Sequence, residues 1–381
     1  MKSLYLTKNI LTFSDVHFRH KKTPTKFIIE NLTNYVHDYI YKEPVDCVFI
    51  AGDLFDSLMN LNNIELSPII AWISSFLTLC AERGTAVRAL EGTPAHDWKQ
   101  SRLFNDIIQI KPSLKSKLDY AYHDDMAIEY VQKLGMNVLY IPDEYGLTAE
   151  YTFQQVLKKM EEHHLSKVDL VIMHGLFDFQ EIGPQNVPMN KATHRSIQYL
   201  NICNHYVFVG HSHVHTCYKR ILVEGSFDRL AHGEESPKGF IAARLESDPK
   251  NDEFYFIENK GAKIYKTIEI RTEDMERCRK QLERHMSKHP AGSHFRLLIK
   301  NTNPLYSVVD VITKNYPDYY FTKKSIETKK VPSKITIEKV SHDGITINQQ
   351  TLKGIVVNKI TTMNMDLDIQ NRAIIALDEF V

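Results

Sequence analysis

Tyr206-Val207-Phe208-Val209-Gly210-His211-Ser212-His213 carries an apolar strand straight into a pair of imidazoles. Side chains alternate between faces along a strand, which predicts that His211 and His213 project to one side, two residues apart. Neutral imidazoles held that way can grip a metal ion. Three other stretches repeat the form. The apolar run 10–13 leads to Ser14-Asp15-Val16-His17, the run 45–51 to Gly52-Asp53, and the run 168–173 to His174-Gly175. One aspartate after a strand is most often a helix N-cap, and one histidine there a satisfied polar residue. Four repeats of one pattern are not explained that way.

Between these stretches the chain alternates strands and helices. Helical spacing marks 25–41 (Phe27, Ile28, Leu32, Tyr35, Val36, Tyr39), 68–83 with Gly84 as its stop, and 153–164. Further strands are predicted at 86–90 and 138–141. Such alternation predicts an α/β layered fold, in which ligands collect at the carboxyl ends of strands. Asp15, His17, Asp53, His174, His211 and His213 all stand at those ends. Two adjacent divalent cations need a bridging carboxylate and surrounding imidazoles or oxygens. Two Asp and four His supply that set.

From about Lys263 the texture changes. Strands at 264–270, 295–299 and 319–321 alternate with helices at 274–287 and 305–314, a small βαβαβ unit. Three regions follow: a main domain at 1–259, a second at 260–345, and a tail at 346–381 whose residues 366–380 suit an amphipathic helix.

The 381 residues are 43% hydrophobic and 25% charged, the balance of an ordinary soluble globular protein. Five scattered cysteines without a C-x-x-C pair argue against a disulfide framework and a zinc ribbon. Apolar runs are too short to span a bilayer, and the first residues lack a signal-peptide core, so the chain reads as cytoplasmic with no membrane contact. A net charge of zero hides an asymmetry. Residues 1–259 hold 26 Lys and Arg against 33 Asp and Glu, whereas 260–345 hold 18 against 10. The basic part reads either as a surface for a polyanion or as a lysine-rich solvated face.

The order Asp15-x-His17, Gly52-Asp53, His96-Asp97, His174, Gly210-His211-x-His213 resembles the calcineurin-like metallophosphoesterases. Asp53-Leu54-Phe55-Asp56-Ser57, Gly225-Ser226-Phe227-Asp228-Arg229, Gly233-Glu234-Glu235 and Lys238-Gly239-Phe240 resemble the DNA-repair branch, the SbcD-type nucleases. The likeness covers about 8–260 and the general form of the small domain. It implies an α/β fold built as a β-sandwich flanked by helices, with a small α/β cap domain. It implies two divalent metals, usually manganese with magnesium as the alternative, and DNA phosphodiester cleavage by exonuclease and endonuclease action. Carried over by position, Asp15, His17, Asp53 and His213 hold the first metal, with Asp53 bridging. His174 and His211 hold the second, and His96 is the catalytic histidine.

One departure matters. Where the family has a contiguous Gly-Asn-His-Asp, this chain has Gly92-Thr93-Pro94-Ala95-His96-Asp97. Either Thr93 takes the place of the Asn as a ligand of the second metal, or Ala95 does and water completes the site. Either way the second site is expected to be the weaker. Asp97 is expected to orient His96 or cap a turn. Asp56 reads as an N-cap, with support of a ligand as the alternative. His20, His205 and His215 fall outside the pattern and read as surface residues or as supports behind a ligand. Arg229 reads as a phosphate contact or as the ion-pair partner of Glu234 or Glu235.

The basic 260–345 region supplies the expected DNA contacts, Lys263, Lys266, Arg279, Lys280, Lys323 and Lys324, which would give affinity without reading sequence. Tyr316, Tyr319, Tyr320 and Phe321 read as small-domain core, with base stacking as the alternative. The resemblance also implies a homodimer and an SbcC-type SMC-like ATPase partner, contacted through the C-terminal tail. Two other functions are open: a small-molecule phosphodiesterase or phosphatase on the same fold, and a weakly active scaffold subunit.

Overall fold

The computed structural model describes residues 7–326 apart from 61, 144–146 and 181–191. The tail at 346–381 and the end of the basic region lie outside the described residues.

Two six-stranded sheets form the body. The first runs in the order Glu253–Glu258, Gly239–Leu245, Lys8–Phe13, Cys47–Ala51, Ala86–Leu90, Tyr120–His123. The second runs Thr216–Tyr218, Ile221–Val223, Val207–Gly210, Leu170–His174, Met136–Ile141, Ala127–Val131. The central strands of each are parallel, so their carboxyl ends share an edge.

Alternation along these strands builds three hydrophobic layers. In Cys47–Ala51, the side chains of Cys47, Phe49 and Ala51 face the second sheet, where Leu170, Ile172 and Phe208 meet them. Val48 and Ile50 point the other way, onto helix Leu66–Arg83 through Ile69, Ile73 and Phe76. In the second sheet Val171, Met173, Val207 and Val209 face helices Ala149–Glu162 and Ser196–Ile202. The architecture is therefore helices, sheet, sheet, helices. Each fully buried Val, Ile, Leu or Phe in these layers contributes about 1.5–3 kcal/mol relative to exposure.

The helix predicted at 25–41 forms as Thr25–Leu32 and Asp38–Lys42 joined through a π-helical turn, Thr33–His37. Helix Leu66–Arg83 ends on Gly84 in the left-handed conformation, as its sequence predicts. Residues beyond 264 form a parallel sheet in the order Tyr265–Ile270, His294–Lys300, Tyr320–Ile326, with helices Met275–Met286 and Leu305–Thr313. It has its own core of Ile268, Leu282, Phe295, Leu297 and Val309. Among the described residues no helix is long and apolar enough to cross a membrane.

Candidate metal centre

The loops leaving five parallel strands converge at one edge. Lys8–Phe13 delivers Asp15 and His17, Cys47–Ala51 delivers Asp53, and Ala86–Leu90 delivers Thr93 and His96. Leu170–His174 ends on His174, and Val207–Gly210 delivers His211 and His213. The first two loops stay in register beyond their strands. Asp15 N donates to Gly52 O, His17 N to Asp53 O and Phe18 N to Leu54 O at 2.9–3.1 Å.

The histidine pair does not owe its geometry to strand alternation. The strand stops at Gly210, and His211 has φ +90°. Asp15, His17 and Asp53 also hold left-handed backbone, at φ +50° to +52°. Such conformations cost a non-glycine residue about 1–2 kcal/mol each, and they gather where a site over-determines its backbone. Gly52, at φ +88°, has a second reason to be glycine: a Cβ there would lie 2.4 Å from His174 Nδ1.

Three overlapping groups of donor atoms result, each group's atoms lying within 4.8 Å of one another: Asp15–His17–His213, His17–Asp53–His96 and Asp53–His174–His211. His17 Nε2 is 3.2 Å from His213 Nε2. Asp53 Oδ2 is 3.3 Å from His174 Nε2, 3.7 Å from His17 Nε2 and 3.0 Å from His96 Nδ1. Asp53 therefore belongs to two of the groups. Asp15, His17, Asp53 and His174 are buried.

Surrounding groups fix the imidazoles. His174 Nδ1 donates to Ala51 O at 2.8 Å, across the two sheets, which leaves Nε2 toward Asp53. His213 Nδ1 faces Glu234 Oε1 at 2.9 Å, which leaves its Nε2 toward Asp15 and His17. Glu234 is itself held by buried Lys238 at 3.3 Å, and Lys238 donates to His213 O and Ser226 Oγ. Asp15 accepts from Ser14 Oγ and from His211 N.

The electrostatics favour positive charge here. Burial pushes the Asp53 carboxyl up, but the charge and hydrogen bond of His174, with His96 and His17, outweigh it and leave Asp53 below the usual carboxylate range. Burial opposes protonation of His174, and the Asp53 carboxylate overrides it and lifts His174 to about 10. His96 is raised by its hydrogen bond to Asp53. Burial lowers His211, helped by neighbouring His174.

Thr93 stands close to these donors. Its Oγ1 lies 3.4 Å from both His174 Nε2 and His211 Nδ1 and 3.3 Å from Asp53 Oδ2. The hydroxyl thus stands beside all three members of the Asp53–His174–His211 group. Pro94 and Ala95 start the short helix Pro94–Asp97 and are exposed.

Several expectations need correction. Asp97 does not orient His96. Fully buried, it accepts from the backbone N–H groups of Asp53, Phe55 and Gly92 at 2.8–3.0 Å, tying two loops together. Asp56 caps no helix: the next one, Leu66–Arg83, has Glu65 at its N-cap, and Asp56 Oδ1 lies 3.5 Å from His17 Nδ1. Arg229 contacts neither Glu234 nor Glu235 but donates to Ala262 O and Lys263 O. It thereby ties the body of the two sheets to the segment leading to 265. His205 is paired with Asp252 at 2.7 Å, and His215 is bonded to Val223 O. His20 Nδ1 accepts from the Lys22 and Thr23 backbone. Sequence reasoning missed Glu234 and Lys238 as members of the site. Their only trace in sequence is the Gly233-Glu234-Glu235 and Lys238-Gly239-Phe240 stretch.

The basic residues are mostly engaged. Lys266 pairs with Glu235, Arg279 and Lys280 with Glu276, and Lys323 with Asp310. Lys263 lies over the rings of Phe27 and Tyr320, and Lys324 is exposed. Phe321 stacks on Phe295, while Tyr316 and Tyr319 bond to Glu283 and to the Met286 carbonyl, so all three serve the small core. Of these four aromatics, Tyr320 alone is largely exposed.

No family model matches the chain, and no curated protein matches it. Among solved structures it is similar to TT1561 of Thermus thermophilus, at 13% identity and a TM-score of 0.38, over 66% of this chain and 99% of that one. A second solved structure is 14% identical with a TM-score of 0.41, over 67% of this chain and 100% of its own.

Proposed function

We propose that the protein is a metal-dependent phosphodiesterase of the calcineurin-like type that acts on DNA as the nuclease subunit of an SbcCD-type repair complex. One observation carries the reading: two groups of metal-competent donors meet at Asp53, on the shared carboxyl edge of two facing sheets. The residues fit a pair of divalent cations. His174 and His213 commit Nδ1 to fixed partners and turn Nε2 inward. Asp15, His17 and His213 would hold one ion, His174, His211 and Thr93 the other, with Asp53 common to both. Carboxylates and imidazoles together accept several divalent ions, and the family resemblance favours manganese, then magnesium.

Bound there, such ions supply an activated water and offset charge growing on the phosphoryl oxygens. The chain does the rest. Asp53 and Asp15 fix the separation of the donor groups. His96, half-exposed and 3.0 Å from Asp53 Oδ2, would give a proton to the leaving oxygen.

A small-molecule diesterase is the second reading, favoured by the ion pairs that neutralise Lys266, Arg279, Lys280 and Lys323. Purified full-length chain with manganese, given linear duplex DNA, bis(p-nitrophenyl) phosphate and p-nitrophenyl phosphate, separates the readings. Cleavage of DNA and the diester, abolished by EDTA, is expected. Cleavage of the diester alone selects the second reading. Bound metal with no cleavage of either selects a scaffold role.

A further inference from the structure

We propose that Trp98 is a stacking platform for an unpaired nucleobase beside the metal centre; this rests on the DNA reading above. The chain has two tryptophans. Trp72 is buried against Phe76 and His37. Trp98 is 55% exposed, two residues after His96.

The exposure is built rather than incidental. Trp98 and Lys99 both hold left-handed backbone, φ +48° and +56°. A bulky residue rarely adopts that conformation unless its surroundings impose it. Here it ends the short helix Pro94–Asp97 abruptly and turns the indole outward. The indole Nε1 donates to Ala95 O at 2.8 Å, and the Lys99 amide donates to buried Glu91 at 2.6 Å. The ring is thus fixed in orientation with its face open.

That face lines a groove of about 960 Å³ together with Pro94, Ala95 and Pro142. Lys99 and Arg102 line it too, sharing Asp124 at 3.1 and 2.6 Å, beside three further carboxylates, Glu91, Asp125 and Asp143. The groove borders the turn that carries Thr93 and His96, since Pro94 and Ala95 lie between them in the chain. An indole held by its own hydrogen bond and flanked by Pro94, Ala95 and Pro142 suits the uncharged face of a planar base, while the acidic lining leaves the phosphate of that nucleotide to the donor groups. Stacking on an aromatic face tolerates any base.

Trp72→Phe leaves Trp98 as the sole tryptophan fluorophore, and EDTA stops turnover. Titration with a single-stranded thymidine tetramer should quench most of the emission, and an abasic tetramer should bind about tenfold more weakly. If W72F fails to fold, the wild-type quench should vanish in W98F or W98A. Anisotropy of a labelled oligonucleotide should then show W98A weaker than W98F.

Equal quenching by both tetramers would overturn the proposal, since charge alone would explain it. Emission already shielded from acrylamide in the free protein would also overturn it, because another segment or a second copy would cover the ring. Base-dependent quenching without metal-dependent DNA cleavage would keep the platform and sink the nuclease reading. Cleavage without quenching would do the reverse.

Discussion

The metal centre and the small sheet beyond residue 264 treat charge in opposite ways. At the centre, charged groups are buried, held on costly backbone and pointed at one another, with Asp15 and Asp53 amid His17, His174, His211 and His213. In the small sheet, lysines and arginines sit at the surface and are mostly cancelled by neighbours one helical turn away or on the next element. Exposed pairs of that kind contribute little to stability, about 0–1 kcal/mol. Burial and strain at the centre are sustained only by the many fixed partners around it. Charge in sequence is therefore a weak guide to function, and convergence in space a strong one.

The sharpest break of the comparison is Asp53→Asn. It removes the charge shared by two donor groups while keeping the shape. Diester hydrolysis should fall roughly a thousandfold or more, and calorimetry should lose both metal-binding events. One tight event surviving would show that the groups do not share this carboxylate.

Asp97→Ala comes next, and it acts on stability. It strands three buried N–H donors from two loops. Each orphaned buried group costs about 1–3 kcal/mol, so denaturant unfolding should show a loss of about 3 kcal/mol or more. Asp97→Asn should lose less, since its amide keeps one acceptor. Equal stability of D97A and wild type would place the loop tether elsewhere.

Glu234→Gln tests orientation without touching a donor. The amide keeps the size but weakens the grip on His213 Nδ1 and on Lys238. Metal affinity should fall about ten- to a hundredfold, with folding stability changed much less than in D97A. An unchanged affinity would make Glu234 a bystander.

Legibility in the sequence followed the same division. Donors at the ends of continuous apolar strands were readable, because wholly buried strands such as Cys47–Ala51 and Leu170–His174 leave a plain signature. The strands Tyr120–His123 and Ala127–Val131 were not, since they are half-buried and mix polar residues into the pattern. Glu129 sits within the second because Arg88, from a strand of the facing sheet, needs it at 2.7 Å. The roles of Glu234, Lys238 and Asp97 were hidden because loops and short turns carry them, and such residues have no period to betray their direction. The positive φ at Asp15, His17 and Asp53 likewise has no sequence signal at an aspartate or histidine.

The smallest effect is the most specific to the small sheet. Lys323 and Lys324 are adjacent on Tyr320–Ile326 and so point to opposite faces. Lys323 turns to helix Leu305–Thr313, donating to Tyr306 O and Asp310. Lys324 is exposed, with no acidic partner among the described residues. If this sheet meets DNA at all, only the lysine that keeps its charge available can release a counterion. Lys324→Ala should then reduce the slope of log affinity against log salt by about 1, while Lys323→Ala should leave it unchanged. Equal slopes in both variants and wild type would mean that the surface charge is solvated and that DNA, if bound, is held at the metal centre alone. A change with Lys323 instead would mean that the Asp310 pair opens on binding, and the contrast between buried and paired charge would then belong to the free protein only.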